Sequence, residues 1–299
     1  MSIQRPLFCI DIGGTDVKFG HVHADARIVG AGKIATEAAA GGEALFARLA
    51  DLVHRHAGEA RGIAVSTFGA ISPAGAITGL ADAVPGYSGM ALGERLAAVS
   101  GLPVTVENDV NCVALAEYGH GAAQGYRQFI ALTLGTGIGG AIMLDGELLR
   151  GGRFAAGEWG YMTVDGQRWE DVASTRALVA AARQATGEAA IDGRAIFAHL
   201  ADGDQRIVAV VERWSLLLAT GIANLIYVLD PDLIVLGGGV TEQGAVLLER
   251  ISAALDQVLH VDLRGQPVLR TAAAGNHAGL LGAALHWSSL HIHAEMARG

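Results

Sequence analysis

Three short glycine turns, each directly behind an apolar, strand-like run, constrain this 299-residue chain more than any other feature. The first is Asp11-Ile-Gly-Gly-Thr15, the second Leu134-Gly-Thr-Gly-Ile-Gly-Gly140, and the third is Gly237, Gly238 and Gly239 behind the run 233–236. Lacking a Cβ, glycine takes up positive φ and lets several backbone N–H groups approach one anion, which suits polyphosphate binding. One such turn carries little weight, since turns between strands often contain glycine. Three after β-rich runs predict a nucleotide cleft in an α/β protein.

Composition narrows the partners. With 51% hydrophobic and 17% charged residues the chain is compact and globular, and 42 glycines against 6 prolines give many tight turns without a linker. A formal net charge of −9 leaves no basic footprint, which excludes nucleic acid and anionic membranes as expected partners. An anionic ligand must then be held locally, by amides and a metal ion. The two cysteines, Cys9 and Cys112, sit in apolar surroundings and read as small core residues. The opening residues 1–4 show no leader-like apolar stretch, and no run reaches 18 uninterrupted apolar residues, so the expectation is a soluble cytoplasmic protein.

The periodicity predicts antiparallel strands over 7–12, 17–22 and 28–35, then a helix carrying Leu45, Phe46, Leu49, Leu52 and Val53. A strand over 62–68, a helix around 90–99, a strand over 104–107 and a helix over 109–117 follow. The second half repeats the plan: strands over 129–134 and 138–144, a short one near 147–150, and a long helix through Val208, Val211, Trp214, Leu218, Ile222 and Leu229. That helix leads into the strand 233–236, and a final helix spans about 280–290. The repeated strand, glycine turn and strand read as an internal duplication, giving two α/β lobes. The expected boundaries are 1–118 with the last helix, about 283–299, for the smaller lobe and 119–282 for the larger.

Polar residues gather at the ends of these runs. Asp11 can cap its own turn or orient a water on phosphate-bound Mg²⁺, an ion that takes few carboxylates and many waters. Thr15 and Thr136 can offer hydroxyls to phosphate or simply end strands. Glu107-Asn108-Asp109 lies at a strand–helix junction, where Asn or Asp serves as N-cap and where a kinase can also keep the carboxylate that accepts a hydroxyl proton. Gly157-Glu158-Trp159-Gly160-Tyr161 is either an ordinary turn or a sugar-binding one, aromatics packing on ring faces and the carboxylate accepting from paired hydroxyls. The histidines show no metal-ligand spacing.

In order and spacing, Asp11-Ile-Gly-Gly-Thr-Asp-Val-Lys18, Glu107-Asn-Asp-Val-Asn111, Leu134-Gly-Thr-Gly-Ile-Gly-Gly140, Gly157-Glu-Trp-Gly160, Val235-Leu-Gly-Gly-Gly-Val240 and Gly275-Asn-His-Ala-Gly-Leu-Leu-Gly-Ala283 resemble the ROK family (repressors, open reading frames, sugar kinases) over essentially the whole chain. The resemblance implies the two-lobed, actin-like, hexokinase-type ATPase fold built from duplicated ribonuclease-H-like domains, with ATP and Mg²⁺ in the cleft and a sugar deeper in it. Residue by residue it implies Asp109 as catalytic base; Asn108, Glu158, Gly69, Tyr161 and Glu170 at the sugar; Asp11, Gly13, Gly14, Thr15, Lys18, Gly135, Thr136 and Gly137 at the phosphates and, for Asp11 through water, at Mg²⁺; and Gly237, Gly238 and Gly239 beside the adenosine. It also implies a homodimer.

Three departures refine this. Tyr161 stands where most members have His, and Met162 to Trp169 contain no cysteine where the family carries a Cys-x-Cys zinc site. Glu170 takes the place of the Glu that follows that site. Ala83-Val84 stand where an Asn-Leu pair often touches the sugar. The combination resembles the zinc-free branch of bacterial β-glucoside kinases, which implies phosphorylation of the 6-hydroxyl of cellobiose-like glucosides, with glucokinase and N-acetylmannosamine kinase as alternatives. A sugar-sensing regulator of the same family would carry a winged helix ahead of the first strand and a more basic surface. A Mg²⁺ requirement without zinc is therefore expected: metal analysis of the purified protein should find less than one zinc per chain, and removal of divalent cations should abolish activity.

Overall fold

The computed structural model describes residues 5–296, with side chains through residue 291; residues 1–4, read above as lacking a leader, and 297–299, the end of the expected last-helix segment, lie outside the described residues. Backbone contacts divide the chain into two compact units. Unit 1 takes in the chain up to Gly121, the segment Arg150–Ala155 and the chain from Ala274; unit 2 comprises Ala122–Leu149 and Ala156–Ala273. These limits differ from the expected 118 and 283, because 274–282 and the short segment at 150 pack with unit 1.

In unit 1, β1 (Leu7–Ile12), β2 (Asp16–Val22) and β3 (Ile28–Ala35) form an antiparallel meander. Beside β1 lie β4 (Ile63–Thr67) and then β7 (Val104–Asn108), both parallel, giving the order β3-β2-β1-β4-β7. A small hairpin of β5 (Ala70–Ile71) and β6 (Ile77–Gly79) follows β4. The helices α1 (Gly42–His56) and α2 (Leu92–Ser100) share one core with Phe8, Ile10, Ile12, Ile63 and Val65 of the sheet. On the opposite face Cys9, Ala64 and Cys112 pack with α9 (Ala278–Met296), through Leu280, Ala283, Ala284 and Trp287. Alternation along the strands thus buries both faces, and both thiols are free and buried, their ionisation pushed up by loss of solvent.

Register then aligns chemistry. Asp11 pairs with Ser66 and Ser66 with Glu107, so one row across three parallel strand ends faces the α9 side. Directly after β7, α3 (Asp109–His120) begins, capped by Asn108, whose Oδ1 accepts from the N–H groups of Val110 at 2.9 Å and Asn111 at 3.0 Å.

Unit 2 repeats the sheet. Strands β8 (Phe129–Leu134), β9 (Ile138–Leu144) and β10 (Glu147–Leu148) form the antiparallel part, the last ending short of residue 150, where a strand end was expected. Alongside run β13 (Leu233–Gly237) and β14 (Val268–Thr271), parallel to β8, for an order of β10-β9-β8-β13-β14. Both sheets therefore share one topology, and the chain has the duplicated ribonuclease-H-like architecture of actin-like ATPases.

Between β10 and β13 lie elements that periodicity left unread: a hairpin of β11 (Thr163–Val164) and β12 (Gln167–Arg168), then α4 (Trp169–Ala173), α5 (Thr175–Thr186) and α6 (Gly193–Ala201). The long α7 (Gln205–Leu229) starts at the Asp204 cap and ends at Asp230, which has φ 43° and is followed by Pro231. By length and composition α7 could cross a membrane, but its Val211, Trp214, Leu218 and Ile222 lie in the unit's main core. The last helix of unit 2, α8 (Ala245–Val258), packs beside it.

The helices α3 and α9 cross at close backbone approach. A methyl group at Gly282 would overlap the Cys112 carbonyl, so glycine there is a requirement of the crossing. Gly282→Ala should lower stability by about 1–3 kcal/mol or more, read as a shift of the urea midpoint without a change in slope.

Candidate active site

In unit 1 the candidate residues gather where the parallel strands end. Asp11, at the end of β1, is half-buried and accepts a hydrogen bond from Ser66 Oγ at 2.7 Å. Its carboxylate lies against the first turn of α9, so closely that a side chain at Gly279 would overlap it. Burial raises its pKa, while the Ser66 bond and the charges of Lys18 and His277 oppose the rise. Lys18 Nζ itself donates to the Asn276 carbonyl at 3.0 Å, at the entry to α9. The neighbouring turn leaves Gly14 and Thr15 exposed, and a Cβ on Gly14 would meet nothing within 4 Å. That open turn, beside a carboxylate, is suited to phosphate oxygens and a hydrated cation.

Asp109 is the first residue of α3. Burial, and then the negative charge of Asp11, push its carboxyl up to about 6, against the opposing hydrogen bond from Val110 N–H at 2.9 Å. A carboxyl in that range is ionised at neutral pH yet basic enough to take a proton. Asn108 adds to its capping role a bond from Nδ2 to the Gly69 carbonyl at 3.1 Å, fixing the Gly69 turn, where φ is +98°. Nearby, burial raises the Tyr87 phenol, which shares a 2.9 Å hydrogen bond with Thr67 Oγ1. The structure thus brings Asp11, Gly13, Gly14, Thr15, Lys18, Gly69, Asn108 and Asp109 into one unit around three strand ends.

Unit 2 carries the remaining predicted residues. Gly135, Thr136 and Gly137 form the turn between β8 and β9, closed by a 3.0 Å bond from Gly135 N–H to the Gly137 carbonyl. Gly237, Gly238 and Gly239 sit at the end of the adjacent parallel strand, Gly237 paired with Thr133. The two turns therefore share one edge of the sheet, at the carboxyl ends of strands, where α/β sheets bind ligands. Glu158 opens the short helical turn Trp159–Tyr161 and is half-buried, whereas Tyr161 is 44% exposed, with the Arg168 guanidinium 4.8 Å from its ring centroid. Glu170 Oε2 lies where side chains on Gly137 and Gly160 would sit, at 2.5 Å and 3.0 Å. This gathers Glu170, the Gly135 turn and the Gly157–Gly160 turn at one place. The buried Trp159 and Trp169 pin the ends of the segment, Trp169 Nε1 donating to the Leu217 carbonyl at 3.1 Å. Among the described residues no cluster of three or more His, Cys, Asp or Glu suits a metal ion.

Sequence reasoning did not single out Ser66, Gly279 or Arg150. Ser66 and Gly279 touch Asp11 from other elements, and Arg150 bonds Glu107 from 43 residues away. The signal for Ser66 was its place at the end of an apolar strand; Arg150 carried none.

Comparison with known proteins points to one family. A family model described as the ROK family matches residues 7–289. A beta-glucoside kinase of Listeria monocytogenes is 35% identical over 289 residues, covering 93% of this chain and 95% of its own. An N-acetylmannosamine kinase of Citrobacter koseri is 32% identical, covering 92% and 96%. Among solved structures, a ROK family glucokinase from Streptomyces griseus in complex with glucose and AMPPNP superposes with a TM-score of 0.81 at 28% identity, over 93% of this chain and 98% of that one.

Raising the Asp109 carboxyl to about 6 has a thermodynamic sign. An unfolded Asp titrates near ~3.9, so the native state holds the extra proton between ~4 and 6 and stability falls as pH rises through that window. Asp109→Asn, which keeps an acceptor for Val110 N–H, should therefore be more stable than wild type at pH 7–8. The difference should shrink below about pH 4; thermal melts across pH read both.

Proposed function

The chain belongs to the ROK family, and on that premise we propose that it is an ATP-dependent sugar kinase acting on the 6-hydroxyl of a β-glucoside such as cellobiose. The observation that carries the kinase reading is Asp109, a carboxylate at a strand–helix junction with its pKa pushed up to about 6. In the reaction, Asp109 accepts the proton of the sugar hydroxyl as that oxygen attacks the γ-phosphorus of ATP and ADP leaves. Transfer of this kind depends mainly on positioning and charge stabilisation.

Asn108, Glu158, Gly69, Tyr161 and Glu170 are the residues we assign to the sugar. Gly13, Gly14, Thr15, Lys18, Gly135, Thr136 and Gly137 would receive the phosphates, and Gly237, Gly238 and Gly239 the adenosine. Asp11 would hold Mg²⁺ through water, and the ion would offset the charge of the phosphoryl oxygens. Zinc has no role in this reading: packing of Trp159 and Trp169 takes the place of a metal in holding the segment between them. We read the protein as cytoplasmic, where ATP is available, and as a homodimer.

The glucoside assignment rests on what the sugar loop lacks. Ala83 is exposed and has no polar side chain, so no group there fixes a sugar hydroxyl, and Val84 is buried in the core of unit 1. A site built to bond a hydroxyl rejects analogues strongly; one without that partner tolerates substitution. The Listeria relative, a beta-glucoside kinase, supports the same choice, while the Citrobacter relative, an N-acetylmannosamine kinase, represents the competing one.

A coupled assay of kcat/KM for cellobiose, an aryl β-glucoside, glucose and N-acetylmannosamine tests both levels. The glucosides should lead, and Asp109→Asn should lower turnover on the order of 10²-fold or more. Preference for either free monosaccharide rejects the glucoside assignment; no sugar-dependent ADP release rejects the kinase.

A further inference from the structure

The residue before the proposed sugar ligand and base, Glu107, has no part in the chemistry above, yet it is one of the most heavily bonded side chains in unit 1. It is 3% exposed. Its Oε1 accepts from the Asn108 backbone N–H at 2.8 Å and from Asn111 Nδ2 at 2.9 Å. Its Oε2 accepts from Arg150, at 2.7 Å from Nε and 2.6 Å from the terminal nitrogen. These four donors use the acceptor capacity of an ionised carboxylate in full.

Arg150 comes from the Arg150–Ala155 segment, which packs with unit 1 although its chain neighbours on both sides belong to unit 2. His286 of α9 braces it: burial lowers the imidazole's pKa and favours the neutral ring, whose Nδ1 accepts from Arg150 at 3.3 Å.

We propose that Arg150 and Glu107 form a positioning pair that sets Asn108 and Asp109 for catalysis. The inference rests on the sugar-kinase reading. Arg150 holds the buried Glu107 carboxylate in place through both bonds to its Oε2, which leaves Oε1 facing the Asn108 N–H. Through that oxygen the side chain fixes the Asn108 N–H at 2.8 Å. Asn108 has little freedom left: its Oδ1 caps α3 and its Nδ2 holds the Gly69 carbonyl. Movement of its peptide therefore passes directly to Asp109, the next residue. Misplacement of a reacting group by about 1 Å is enough to cost on the order of 10²-fold in rate.

The pair is also reachable. A cavity of about 210 Å³, lined in part by Ser72, Thr105, Glu107, Arg150 and His286, opens beside it. A small cation can thus enter where the Arg150 head group is removed.

The test is chemical rescue. Arg150→Ala should lose on the order of 10- to 100-fold in kcat with KM for ATP little changed. Guanidinium ion, added at millimolar, non-denaturing concentration, should restore kcat saturably, whereas sodium at equal ionic strength should not. Wild-type kcat in Arg150→Ala, or a folded variant indifferent to guanidinium, overturns the proposal. Arg150→Lys covers a failure of the Ala variant to fold: it keeps the charge but lacks the fork, and should show reduced kcat at a near-normal melting temperature. Undiminished kcat in that variant overturns the proposal equally. Sugar-dependent ADP release by the wild type is measured first, so a failure of the kinase reading is seen before any variant is compared.

Discussion

The repulsion between Asp11 and Asp109 is the interaction on which the site in unit 1 turns. Both carboxylates are drawn out of water, and the charge of one raises the pKa of the other. Left alone, such a pair would relax by separation or protonation. It is kept by devices on four elements: Ser66 from β4, the bare first turn of α9 at Gly279, Lys18 from β2, and the N–H groups at the start of α3. A helix start favours negative charge, so the two helices meet the carboxylates with their positive ends. The arrangement keeps Asp109 ionised at neutral pH and still basic, a balance that neither burial nor hydrogen bonding alone would strike.

One sheet topology is used twice. In both units the central strand turns back through glycine into an antiparallel neighbour and lies between it and a parallel strand from later in the chain. In unit 1 the strand ends carry acids: Asp11, Glu107 and the following Asp109. In unit 2 the matching ends carry glycine turns, 135–137 and 237–239, with no acid among them. Duplication supplies the scaffold, and substitution at a few strand ends sets acids at those of one half only. Equivalent positions in the two halves are the natural places to trace that division.

Much of this was legible before any coordinates. The six residues of β1 and both strands around Gly135 fall where alternation and glycine placed them, and Asn108 caps α3 as an Asn at that junction should. These features are local: a run, a turn, a cap. The stretch from 163 to 201 was not read, because its strands are two residues long and its helices are cut short by Ser174, Gly187 and Asp202. Arg150 was invisible for a different reason. Its meaning comes from a partner far along the chain, and a single arginine after a two-residue strand has no pattern of its own. Glu170 lies between these cases: with the family's cysteines absent, sequence offered only a candidate, and the close approach to Gly137 and Gly160 shows which turns it sits beside.

The packing of α9 on α3, β1 and β4 has a consequence for how the protein comes into being. The strands of the unit 1 sheet precede unit 2 in the chain, but the helix that covers one face of that sheet is translated only after the whole of unit 2. Until then Cys9, Ala64 and Cys112 lack their partners, and Asp11 lacks the helix turn it rests on. Unit 2 is continuous apart from one short excursion and can close while the first sheet still waits half-covered. Completion of unit 1 thus waits for a helix from beyond unit 2, and contacts spanning so much sequence are slow to form. Until that last helix is made, the nascent chain keeps an apolar sheet face without its cover.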